Sequence, residues 1–335
     1  MAGRALAFSD TEILRMARED FIAVAADDWY QRRRQDAEGR FFLGVAEQGP
    51  RKGAGGSTRQ GIYALTAAGK LLAYRNAGQN PDVMREVITD AHRTWKSLPE
   101  SERKPGTVQI GDHGPVDARF TRMPPENGLI VRVSARLLDR GADGGFKDAA
   151  CETGRGDEAS RDHLWITEAE WKSLVPASPR AGGKVPVPVG LAARIARFHL
   201  VDHTRGEPNF WSAEEVRLNQ LSLIMEEVGP TRITFRVEGA VLLTTDADFA
   251  KAQRGFDARV SGWLEFDRER KAFTRFDLVA VGDHWGRGTY TGPARPGRTP
   301  LGLAFELTEG KSPAERVAPQ AARDVSGYFA AGPRN

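Results

Sequence analysis

The sequence predicts an α+β protein: a helix-bearing first third followed by a larger antiparallel β-domain, either a β-sandwich or an open barrel. Three observations carry this. Up to about residue 98, apolar residues recur at helical spacing around a short hairpin. From Thr107 onward the period falls to two, in runs separated by Gly and Pro. Between the two regimes lies "PESERKPG" (Pro99–Gly106), charged and bounded by Pro and Gly, the composition of a linker. The expected organisation is a domain at 1–98, a linker at 99–106, a β-rich domain at 107–310 and a strap or tail at 311–335.

The elements of the first third can be justified in order. Ser9 or Asp10 caps a short helix, with Glu12 in its first turn and Ile13, Leu14, Met16 and Ala17 as its apolar stripe. "DFIAVAAD" (Asp20–Asp27) is a continuous apolar run, the pattern of a strand buried on both faces. "WYQRRRQDAEGRFFLGVAEQG" reads as one helix ending near Gly49, with Arg32, Arg33 and Arg34 on a solvated surface. Two strands flank the turn at Ala67–Gly69. Asn80 then caps a helix with Pro81 at its first position and Val83, Met84, Val87, Ile88, Ala91 and Trp95 on one side.

Helix, buried strand, helix, hairpin and helix is an order that resembles the thioredoxin-like fold, over roughly residues 5–98. Where that family carries its redox Cys-x-x-Cys, this chain reads "DDWYQ" (Asp27–Gln31), and the stretch before the hairpin is "STRQG" (Ser57–Gly61), without the family's cis-proline. Thiol–disulfide exchange needs a thiolate and a resolving thiol. The resemblance therefore implies a scaffold or binding surface, not a redox catalyst.

In the β-domain, "VDARFTRM" and "GLIVRVSARLLDRG" alternate, and residues 141–161 form a long polar loop. Thr167 and Glu170 have capping-box spacing for a short helix. "SPRAGGKVPVPVG" suits neither helix nor central strand. Further alternating runs follow, the clearest being the hairpin "WLEFDRERKAFTRFDLVAVG". Its return strand is expected to carry Phe273, Arg275, Asp277 and Val279 on one face and Thr274, Phe276, Leu278 and Ala280 on the other.

Composition narrows the function classes. The chain has 335 residues, 40% hydrophobic and 28% charged, enough to bury a sizeable core in two or three domains. Its 48 Lys and Arg nearly balance 45 Asp and Glu, so no concentrated basic face argues for nucleic acid. No window has the length of apolar sequence that a membrane helix requires. A single cysteine rules out an internal disulfide framework. With no secretion-type apolar stretch at its start, the chain as written is expected to be cytoplasmic; an exported chain whose signal had been removed would read the same.

Chemistry centres on histidine. Four of six histidines directly follow an aspartate, and "IARFHLVDHTR" places His199 and His203 four apart in an apolar run. At that spacing they share a face in either a strand or a helix. Neutral imidazole in a dry setting is a common metal ligand. His163 in "RDHLW" and His284 in "GDHWGRG" each neighbour a tryptophan able to exclude water. His163, His199, His203 and His284 are thus the expected ligands of a divalent transition metal, zinc, copper or iron, with Cys151 as a further ligand candidate. His92 and His113 are expected at the surface. Arg287, Arg295 and Arg298, in the loop after the His284 strand, are expected to bind an anionic small-molecule substrate. The expected function is a metal-binding protein, in its catalytic form a metal-dependent enzyme acting on a small molecule. The alternative is a non-enzymatic binding or scaffold protein that engages a protein partner through its first domain.

Overall fold

The computed structural model describes residues 10–76, 80–106, 108, 111–149, 159–292 and 294–332. The chain forms two compact units, one running to Arg122 and the other beginning at Met123. Pro99–Gly106, the expected linker, lies within the first unit and carries the turn of helix Glu100–Arg103. Among the described residues no helix is long and apolar enough to cross a membrane.

The first unit contains α1 (Thr11–Asp20), α2 (Asp28–Gln31), α3 (Ala37–Ala46), the hairpin β1 (Ile62–Leu65) and β2 (Leu71–Arg75), and α4 (Pro81–Ser97). Asp10 caps α1 by accepting from the amides of Glu12 and Ile13, and Asn80 caps α4 by accepting from Asp82. Ile13 of α1 packs with Met84 and Ile88 of α4 in a small core. Three expectations fail here. Phe21–Asp27 joins no ladder, and Ile22 and Val24 are 95% and 83% exposed. An apolar run becomes a buried strand only when strands flank it, and β1 and β2 pair only with each other. The single helix expected from Trp29 to Gly49 is two, because the Asp36 side chain accepts from the Gly39 amide and starts α3 afresh. The arginine run between them is not a solvated face: Arg34 is buried, its guanidinium 2.6 Å from Asp36 and 2.7 Å from Glu38.

The second unit is built on one antiparallel sheet. Its strands are β3 (Leu129–Arg140), β4 (Phe146–Asp148), β5 (Ala159–Ile166), β6 (Lys184–Pro186), β8 (Val216–Val228), β9 (Arg232–Thr244), β10 (Gly255–Asp267), β11 (Ala272–Trp285) and β13 (Thr299–Leu307). The order is β4-β3-β13-β11-β10-β9-β8-β6, with β5 also paired to β3. The short strands β7 (Gly206–Glu207) and β12 (Tyr290–Thr291) pair apart from it. Among the described residues the long strands all belong to one hydrogen-bonded sheet. Helices add to its core: α5 (Glu168–Ser173) supplies Trp171, and α6 (Val189–Arg194) supplies Leu191. One cluster runs from Val131 on β3 through Phe235 and Val260 to Met225 on β8. Each fully buried side chain of the size of Phe235 contributes about 1.5–3 kcal/mol by leaving water. "VDARFTRM", expected to be extended, instead holds a 3₁₀ turn at Ala118–Phe120 in the first unit.

The β10–β11 hairpin departs from strict alternation. Glu265 pairs with Arg275, but Phe266 pairs with Phe273, so β11 carries one extra residue. That bulge resets the parity. Phe273 and Phe276 both face the core while Thr274 and Arg275 are both exposed, which corrects the face assignment expected from the sequence.

Candidate functional site

β5 is an edge strand, and an unpaired strand edge must be covered. Here side chains and the end of the chain cover it. The Trp165 amide donates to the Tyr328 hydroxyl at 3.1 Å, and the Trp165 carbonyl accepts from Arg194 at 3.1 Å. Tyr328 belongs to α7 (Val325–Phe329), which follows a 3₁₀ turn at Gln320–Asp324; together they form a C-terminal strap. Arg194 is 1% exposed and donates to Glu170 at 2.6 and 2.8 Å, and to the carbonyls of Tyr328 and Phe329. Arg197 donates to the Ala331 carbonyl at 3.0 Å. Strap, edge strand and α6 are thereby tied together. Ile130, Trp165, Phe198, Ala322 and Tyr328 make a second buried cluster under the strap.

The histidine pair lies against this edge. α6 runs into a π-helical turn at Ile195–His199, and the chain bends at Leu200 before His203. Neither a strand nor a regular helix brings the two imidazoles together. What they share is Asp162 of β5: its Oδ2 is 3.3 Å from His199 Nδ1 and 3.7 Å from His203 Nε2. His199 is 0% exposed. Asp162 Oδ2 and His199 Nδ1, both fully enclosed, make no aligned hydrogen bond despite their closeness. The other atom of each group is engaged: His199 Nε2 lies 2.9 Å from the Tyr328 hydroxyl, and Asp162 Oδ1 accepts from the Gln320 amide at 3.2 Å. Burial alone would push the Asp162 carboxyl up, but the facing imidazoles, His199 first, more than offset this and hold it below the ordinary carboxylate range. Burial pushes His203 down, which keeps its ring neutral near pH 7.

The chain has no match among protein-family models, curated proteins or solved structures.

The other expected ligands lie elsewhere. Neighbours on a strand point to opposite faces, so Asp162 and His163 cannot both face His199. Asp162 is the one that does. His163 stands on the opposite face, paired across β3 with Arg132, and burial lowers its pKa. His284 ends the core face of β11 opposite Phe256, and burial pushes it down to about 4. It belongs with Asp202 and Arg205: burial alone would raise Asp202, but His284, Arg205 and Thr204 outweigh it. Cys151 lies outside the described residues. His92 stacks on Phe21 at 5.5 Å, in the first unit. Among the described residues no group of three or more His, Cys, Asp and Glu side chains stands in ion-holding geometry.

The three expected substrate arginines are distributed around the β11–β13 loop. Arg295 and Arg205 line a narrow cleft with His284, while Arg287 lines an adjoining open hollow of about 600 Å³ with Gln253 and Thr289. Arg295 is bound to Asp139 and to the Leu138 carbonyl. Arg298 lies over the rings of Phe249 and Trp285, at 3.8 and 4.3 Å, where it packs. The sequence reading missed Asp162, Tyr328 and Arg194. Strand parity at the Asp162–His163 pair was the available signal for the first; nothing local marks the other two.

Proposed function

We propose that the second unit is a metal-binding module holding one divalent transition metal ion, zinc, copper or ferrous iron, between Asp162, His199 and His203. One observation carries it: a buried carboxylate oxygen and a buried imidazole nitrogen face each other at 3.3 Å without an aligned hydrogen bond, and a second imidazole nitrogen stands 3.7 Å from the same oxygen. A carboxylate enclosed with two imidazoles carries a desolvation cost, and an ion bound among the three would offset it. Donors each about 2.0–2.1 Å from a tetrahedral zinc stand roughly 3.3 Å apart, comparable with the 3.3 and 3.7 Å from Asp162 Oδ2 to the two imidazoles. Two imidazoles and one carboxylate are a donor set for these ions. Burial of all three groups favours an ion that braces the fold over one that meets a substrate. Elemental analysis of the purified protein tests the reading, together with zinc titration of the metal-free form. Stoichiometric metal that is lost in Asp162→Asn and His199→Ala supports it. A protein that takes up none of the three metals would overturn it.

A second reading concerns the first unit. The exposure of Ile22 and Val24 on an extended segment supports a binding or scaffold role for that stretch. Hydrogen exchange of the Ile22–Ala25 amides tests it. Slow exchange means that the segment pairs with another strand, and exchange at the rate of an open chain removes this reading.

A further inference from the structure

The C-terminal strap touches both of the principal ion ligands, and it touches each on its outer atom. Gln320 gives its backbone amide to Asp162 Oδ1 at 3.2 Å, and Tyr328 places its hydroxyl 2.9 Å from His199 Nε2. The inner atoms, Asp162 Oδ2 and His199 Nδ1, are the ones left facing each other. We infer that the strap is the orienting layer of the ion site, with Tyr328 the positioning residue of His199. This rests on the metal-binding reading above.

The hydrogen-bond chemistry is specific. For Nδ1 to offer its lone pair to an ion, the ring proton must sit on Nε2, and Nε2–H then needs an acceptor. Tyr328 supplies one. A phenol oxygen has two lone pairs, so it can accept from the Trp165 amide and from His199 Nε2 together. A ligating imidazole held through its other nitrogen is fixed in both tautomer and ring orientation, and losing such a partner typically weakens metal binding 10–100-fold. The phenol is itself held: Tyr328 is 0% exposed, and Arg194 grips its carbonyl at 3.0 Å.

Strap docking and ion binding are then one linked equilibrium. An ion that fixes His199 and Asp162 also fixes the acceptor and donor on the strap. Zinc should therefore slow hydrogen exchange across residues 320–331, and loosening the strap should weaken zinc binding.

The test uses the full chain and Zn²⁺ alone as probe, with affinity measured for wild type, His199→Ala, Tyr328→Phe and Arg197→Met. The last variant removes the bonds to the Ala331 carbonyl on the strap and to the Trp211 carbonyl, and leaves every ligand in place. The expected result is no binding for His199→Ala, a 10–100-fold loss for Tyr328→Phe, and a clearly smaller loss for Arg197→Met at comparable thermal stability. If wild type binds, His199→Ala does not, and Tyr328→Phe matches wild type, the orienting role is wrong while the ion stands. If Tyr328→Phe and Arg197→Met lose affinity equally, general loosening explains the effect and the specific role of the phenol is overturned. A wild type that takes up none of zinc, copper and ferrous iron, and whose strap exchanges at the same rate with and without them, removes both readings.

Discussion

The guanidinium of Arg194 and the carboxylate of Glu170 meet side by side, at 2.6 and 2.8 Å, in an environment that leaves Arg194 only 1% exposed. Glu170 also closes the capping box of its own helix by accepting from the Thr167 amide at 2.9 Å. Breaking a buried pair by removing one partner leaves an uncompensated charge. Arg194→Met is therefore expected to destabilise the second unit by about 3–5 kcal/mol. Urea unfolding would measure it, and a loss under 1 kcal/mol would show that the pair is solvated.

Acid should weaken the fold through its buried histidines. His163, His203 and His284 all have folded pKa values lowered by burial, His284 to about 4. Once the pH is below about 6.5 the unfolded imidazole binds a proton that the folded one refuses, so stability declines as pH falls. For His284 the decline runs from about 6.5 down to about 4, at roughly 1.4 kcal/mol per pH unit. Unfolding free energies measured at pH 7, 6 and 5 give the slope. His284→Gln should make it shallower, and an identical slope in that variant contradicts the assignment.

Two glycines should respond in opposite ways to alanine. A Cβ on Gly282 would stand 1.9 Å from the Asp257 carbonyl oxygen on the neighbouring strand, an overlap that backbone cannot relieve cheaply. Gly190 in α6 has nothing within 4 Å of its Cβ position. Gly282→Ala is expected to cost about 2 kcal/mol or more, and Gly190→Ala to stabilise by about 0.5–1 kcal/mol. Thermal unfolding of both variants checks the pair, and equal shifts would refute the close strand approach.

Metal addition should raise the melting temperature of metal-free wild type, because a ligand bound only by the native state stabilises it by mass action. At a free concentration 100 times Kd the gain is about 2.7 kcal/mol. The same addition should leave His199→Ala unmoved and should shift His92→Ala as it shifts wild type, since His92 belongs to the first unit. A His199→Ala protein that still responds would place the ion elsewhere.

The sequence by itself determined whatever depends on neighbours along the chain. Asp10 and Asn80 as caps, Pro81 at a first helical turn, Thr167 with Glu170 and the hairpin around Ala67–Gly69 are local hydrogen-bond and dihedral choices, and the structure has all of them. The antiparallel character of the second unit was legible for the same reason: alternation is written residue by residue. Tertiary structure decided what alternation leaves open. A run such as Ile22–Ala25 is apolar whether or not strands come to flank it. One extra residue at Thr274 turned Phe273 to the core, because the hairpin's register sets two residues of one arm against one of the other, which alternation alone does not specify. The candidate site was half legible. His199 and His203 are close in sequence, but Asp162 and Tyr328 reach His199 from 37 and 129 positions away. They meet at an edge strand, β5, whose free amide is covered by Tyr328 of the strap and whose free carbonyl is covered by Arg194 of α6.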